Sequence, residues 1–158
     1  MKLYHGTNTD IQTIDFNKCN PNKDFGQGFY LTDIKEQAVL MAKRRVRITN
    51  IGTPVVLEYD FDINSLSDGQ LQVKIFDRPS KEWALFILAN RKSSSTGFKH
   101  NYDIVIGLIA DDGVVFQLER YEHNLITLDT LVREVTFREL NKQYFFGTNK
   151  AVATLTRI

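Results

Sequence analysis

The sequence predicts an α+β domain with a mixed or mainly antiparallel sheet, on three observations. Runs rich in β-branched and aromatic residues, TPVVLEYDFDI over 53–63 and YDIVIGLIA over 102–110, are interspersed with helical stretches such as KEWALFILANR over 81–91. Their spacing lacks the regular strand–helix–strand repeat of a doubly wound parallel sheet. The chain has 158 residues, 42% of them hydrophobic, enough for one buried core, so residues 1–158 read as one domain. No internal repeat or low-complexity segment interrupts it.

Taken in order, KLYHGT at the start alternates apolar and polar residues before a Gly-Thr-Asn turn, which predicts a first strand with His5 near its end. A polar loop around NPNKD follows. FGQGFYLT then reads as loop into strand, and DIKEQAVLMAKRRVR as a helix beginning just after Thr32. Asp33 and Glu36 have the spacing of a capping box, and Ala38, Leu40, Met41 and Val46 form an imperfect apolar face.

Residues 53–63 read as a strand and LQVKIF, 71–76, as a weaker one. Pro79 and Ser80 open the helix over 81–91, and SSSTG, 93–97, reads as a loop. The most apolar strand, 102–110, is expected at the centre of the sheet and is stopped by Asp111-Asp112-Gly113. HNLITLDTLVREV suggests a helix, QYFFGT a strand, and NKAVATLTRI a terminal helical turn or two.

Composition narrows the function classes. Twenty basic against nineteen acidic side chains give a net charge of +1, so no global field draws the protein to nucleic acid or to a membrane surface. No apolar run approaches the roughly 20 residues needed to cross a bilayer. Cys19 is the single cysteine, and MKLYHGTNTD lacks the apolar segment of a signal peptide, so a soluble, cytoplasmic protein is expected. Neither His100 nor His123 has metal-ligand spacing, and no metal is expected.

Residues 24–32, DFGQGFYLT, carry the most informative local pattern. A kinase Asp-Phe-Gly would follow a glycine-rich loop, a strand lysine and a catalytic loop, and none fits in the preceding residues. Two glycines spaced GxG before a strand match neither a dinucleotide fingerprint nor a phosphate loop. Gly26 and Gly28 permit close backbone approach, and Phe29 and Tyr30 point to opposite faces, one to the core and one to a cleft. A glycine-bulged strand with two packing aromatics satisfies the same pattern.

Tyr4-His5-Gly6-Thr7, followed by Phe25-Gly26-Gln27-Gly28-Phe29-Tyr30-Leu31-Thr32, resembles the ADP-ribosyltransferase superfamily of the diphtheria-toxin and poly(ADP-ribose) polymerase type. Within it the chain is similar, over nearly its whole length, to a small bacterial family of unknown function. That similarity takes in Trp83 with Asn90-Arg91, the strand from Tyr102 to Asp112, and Gln143-Tyr144-Phe145-Phe146 with Thr148. The resemblance implies a split sheet with flanking helices that clasps NAD between the first strand and FGQGFYLT.

It also implies roles. His5 would bond the 2′-hydroxyl of the adenosine-side ribose, Gly6 would offer backbone groups to the nicotinamide amide, and Thr7 would stand beside the nicotinamide. Tyr30 would stack on the nicotinamide ring, while Gly28 would keep the strand clear of the dinucleotide. The superfamily's glutamate aligns with Gln143, which keeps an acceptor and loses the charge. That loss is worth about 2 to 4 kcal/mol of stabilisation of an oxocarbenium-like state. Asp111 or Asp112 could supply a carboxylate instead, although Asp-Asp-Gly is also an ordinary turn; Asp103 and Asp60 are weaker candidates.

The expected activity is transfer of one ADP-ribose from NAD to a macromolecular acceptor, protein or nucleic acid. The same resemblance implies a toxin or modifier with a cognate antitoxin or regulator. Its rivals are an NAD glycohydrolase and an NAD- or ADP-ribose-binding module. The basic run Lys43-Arg44-Arg45-Val46-Arg47 could hold the NAD pyrophosphate or an acidic target, or be a solvated helix end, and Arg91 could reach a phosphate or form a structural ion pair. Trp83 is expected in the core.

Overall fold

The computed structural model describes residues 1–158 as one α+β domain with two sheets and six helices. One sheet is antiparallel, ordered β1 (Lys2–Thr7), β3 (Val55–Phe61), β7 (Leu155–Arg157). The other is mixed, ordered β2 (Phe29–Leu31), β6 (Lys142–Phe146), β5 (Ile104–Leu108), β4 (Val73–Ile75), with only the β4–β5 pair parallel. As expected, the apolar strand is internal, and every residue of β5 is buried.

Alternation along the strands builds two cores. Leu3, Leu57, Tyr59 and Phe61 from the first sheet meet Phe29, Leu31, Ile104, Ile106, Tyr144 and Phe146 from the second. The opposite face of the second sheet, carrying Val105 and Phe145, is covered by α2 (Lys81–Arg91), α4 (Asp112–Glu122) and α5 (Leu128–Thr136). Trp83 is fully buried there, and its Nε1–H donates to the Leu108 carbonyl at 3.2 Å. No helix is long and apolar enough to cross a membrane.

The helix α1 (Lys35–Thr49) packs on β1 and β3 with a face different from the one expected. Only Ala38 and Ala42 are buried, whereas Leu40 and Met41 are 66% and 49% exposed. The cause lies in β1. A β-carbon on Gly6 would stand 2.0 Å from the Ala38 carbonyl oxygen, so this crossing is too close for any but small residues. Nor is there an Asp33–Glu36 capping box. Ile34 occupies the N-cap position without a side-chain bond, and Thr32 provides the local hydroxyl, which accepts from Ile34 N–H and donates to Gln37.

Three further segments differ from expectation. SSSTG is a helical turn, α3 (Ser93–Thr96), closed by Gly97 in the left-handed region. Asp111 does not end a strand into a bare turn; its carboxylate accepts from Val114 N–H and caps α4, while Thr127 caps α5, so the single helix expected over 123–135 is the second of two. The C-terminal segment turns once in α6 (Asn149–Val152) and then pairs as β7, because Phe61 and Tyr59 of β3 present an open ladder there.

Candidate functional site

The two sheets meet at a single bridge. Tyr4 N–H donates to the Thr32 carbonyl at 2.8 Å and Thr32 N–H returns a bond to Tyr4 at 2.9 Å. In an antiparallel ladder the next hydrogen-bonded pair would join Gly6 to Tyr30. It does not form, because the His5 imidazole takes the Tyr30 carbonyl at 2.7 Å. The strands therefore separate at His5. Gly6 N–H and C=O, directed away from β3 by the same alternation, and Tyr30 N–H are left without a ladder partner where the two strands part.

A carbonyl can only accept, so Nδ1 of His5 carries the hydrogen and Nε2 keeps its lone pair. Burial pushes the imidazole down to about 4, against the effect of the Tyr30 carbonyl and with smaller contributions from the Lys23 and Arg45 cations. At neutral pH His5 is an uncharged acceptor, held against the Phe29 ring at 4.3 Å between centroids.

Tyr30 points to the other face, where its ring packs edge-on against Phe145 at 5.2 Å. Its hydroxyl donates to the Gly26 carbonyl at 2.6 Å and accepts from Phe25 N–H at 3.0 Å, which ties the 24–28 loop to the strand. Lys23 places its ammonium 4.5 Å from the ring centroid. Gly28 has a packing reason of its own, since a β-carbon there would lie 2.2 Å from the Phe145 ring.

Gln143 lies on the same face of β6 as Phe145, two residues before it. Its Nε2 donates to Oδ2 of Asp24 at 3.2 Å. Asp24 is buried and receives three further bonds. Ala110 N–H reaches Oδ2 at 3.1 Å, while Arg91 reaches Oδ1 through Nε at 2.8 Å and through its terminal nitrogen at 2.7 Å. Arg91 is thus half of a structural ion pair.

Other candidates stand apart. Asp111 pairs with Arg138 at 2.8 Å; burial works against its ionisation, but the Arg138 and Val114 bonds hold it below the usual carboxylate range. Asp112, the next residue, is exposed in the first turn of α4. Asp103 is buried as a ladder-end acceptor for Gln72 N–H and Thr148, and Asp60 pairs with the N-terminal ammonium. Thr7 is buried at the end of β1 opposite Val55. Lys43, Arg44, Arg45 and Arg47 are exposed on α1 and pair with no carboxylate.

Residues 1–156 match a known family. The chain belongs to DUF3990, a family described as proteins of unknown function. No curated protein and no solved structure matches it.

In this DUF3990 protein the structure joins His5, Gly6 and Tyr30 at one junction and connects Tyr30, through Phe145, to the face that carries Gln143. The residue missed by sequence reasoning is Asp24, which the Asp-Phe-Gly comparison set aside. One signal was present. Asp24 stands directly before a large apolar residue in a polar loop, and Arg91, for which a structural ion pair is one reading, ends an apolar helix and needs such a carboxylate.

Proposed function

We propose that this protein is an NAD-dependent mono-ADP-ribosyltransferase whose nicotinamide site is the opening between β1 and β2. The observation that carries the reading is the substitution of the His5 imidazole for Gly6 as the partner of the Tyr30 carbonyl. It leaves a backbone donor and acceptor at Gly6, the pair a carboxamide requires, beside an uncharged imidazole able to accept from a ribose hydroxyl. A second feature supports a cationic ring. The Tyr30 face already holds the Lys23 ammonium, and the pyridinium of NAD has the same charge and a flat shape that stacks better.

In the reaction the C1′–N bond breaks with its electron pair passing to nicotinamide, which leaves neutral. The acceptor nucleophile bonds C1′ and gives up its proton to solvent water. Gln143 Oε1 would accept from the ribose 2′-hydroxyl, the place where the superfamily resemblance puts a carboxylate. With water as acceptor the same site is an NAD glycohydrolase. The uncharged Gln143 favours a third reading, a module that binds NAD without turnover.

Incubation with NAD labelled in the adenylate half, together with cell extract, should transfer label to a macromolecule and release nicotinamide in equal amount. Nicotinamide release without a labelled acceptor identifies the hydrolase, and calorimetric binding with neither product identifies the module. No binding and no release overturns the NAD reading.

A further inference from the structure

Both oxygens of Asp24 are bonded, whereas the Gln143 amide beside it is bonded at one end only. The two Asp24 oxygens accept from Arg91, Ala110 N–H and the Gln143 amide, and nothing in the chain donates to Gln143 Oε1. Because a carboxylate has no hydrogen to give, the amide must turn its NH2 group toward Asp24 and its carbonyl away. The Asp24 loop is itself held in place. Tyr30 hydroxyl binds Phe25 N–H and the Gly26 carbonyl on one side, and the His100 ring donates from Nε2 to the Phe25 carbonyl at 2.6 Å on the other.

We propose that Asp24 is the positioning residue of the site, its buried carboxylate fixing the Gln143 amide with Oε1 presented outward as the acceptor for a substrate hydroxyl. The role of Oε1 rests on the NAD reading above; the orientation of the amide does not. The carboxylate also polarises the amide through Nε2–H, so that Oε1 is a stronger acceptor than an unassisted glutamine and recovers part of the charge that a glutamate would bring. Asp24 does not touch substrate. It acts through Gln143, and Arg91 holds its Oδ1 through two nitrogens.

This arrangement reverses the simplest expectation for Gln143→Glu. A glutamate there meets Asp24 at hydrogen-bond distance, and two carboxylates so close share one proton. While that proton is held, the introduced carboxylic acid donates to Asp24 and leaves its carbonyl outward, as glutamine does. When it is lost, repulsion turns the side chain away.

The test compares wild type, Asp24→Asn, Gln143→Glu and the double variant. Nicotinamide release is measured from pH 5 to 8, and the Gln143 side-chain amide is followed by nitrogen-15 NMR without NAD. Asp24→Asn should shift that amide resonance and lower kcat at least tenfold with KM nearly unchanged. Gln143→Glu should lose activity as pH rises. The double variant, in which the new asparagine amide donates to the new, ionised carboxylate, should regain activity at high pH.

An amide resonance unmoved by Asp24→Asn overturns the positioning role whatever chemistry the protein performs. So does a Gln143→Glu variant whose activity rises with pH, a result that needs no stable Asp24 variant. Wild type that neither binds NAD nor releases nicotinamide, with the amide shift present, overturns the NAD reading and the substrate role of Oε1 together while the Asp24–Gln143 orientation stands.

Discussion

His5 and Tyr30 are joined across the two sheets by a side chain that has taken the place of a backbone ladder bond, at 2.7 Å. The imidazole closes one pairing and, in doing so, prevents the next. A residue that cannot donate from the same position would free the Tyr30 carbonyl to pair with Gly6 N–H and narrow the opening. His5→Leu should therefore weaken NAD binding at least tenfold while leaving the protein folded, measured by calorimetry beside circular dichroism.

The same histidine sets a pH dependence. Its folded-state pKa lies at about 4 against an ordinary value of 6.5, so between these limits the unfolded chain binds more protons than the folded one. Stability should fall as pH drops from 6.5 toward 4, by about 2 to 3 kcal/mol from this group, and level off below. Denaturant midpoints for wild type and His5→Gln across that range should converge at low pH if His5 is the cause.

Tyr30 has a hydroxyl that serves the loop and a ring on which the proposed nicotinamide would stack. Tyr30→Phe should cost about 1 to 2 kcal/mol of stability through the lost bonds to Gly26 and Phe25, and keep most NAD affinity. Tyr30→Ala should lose both. Melting curves and calorimetry on the pair separate the contributions.

Lys23 occupies the Tyr30 face that the proposed nicotinamide cation would use. Lys23→Met removes the competing charge and should tighten binding of oxidised NAD about two- to fivefold, in keeping with a cation–π contact of about 0.5 to 1 kcal/mol. Binding of the uncharged reduced form should not tighten, and titration with both nucleotides checks this.

Gly6→Ala probes packing. The added methyl meets the Ala38 carbonyl, part of a helix backbone that cannot rotate aside, and the expected loss is about 3 kcal/mol or more in chemical denaturation.

Much of the fold was legible where local chemistry decided it. Ser80 caps α2 as its place before Lys81 predicts, and β3 and β5 fall within the β-branched runs. Sequence failed where a distant partner decided. Leu40 and Met41 look like a helix core, yet the close approach demanded at Gly6 gives that role to Ala38 and Ala42. Leu155 to Arg157 become a strand only because β3 has an edge to fill. For the candidate site, the resemblance named His5, Gly6 and Tyr30, and the structure brings these three to one junction. The bond that relates His5 to Tyr30 spans 25 positions, and the bond that relates Asp24 to Gln143 spans 119, so neither has a local signature.

The strand order carries a consequence for timing. β2 is paired in its sheet by β6 alone and is tied to β1 by the adjoining Tyr4–Thr32 bridge and by His5, so the wall that bears Tyr30 lacks its ladder partner until residues 142–146 have left the ribosome. A nascent chain can display the first strand, the helix on it and most of the apolar centre while the opening between β1 and β2 still lacks its second side. On the NAD reading proposed above, the capacity to bind at this junction arises only once β6 is in place, late in synthesis.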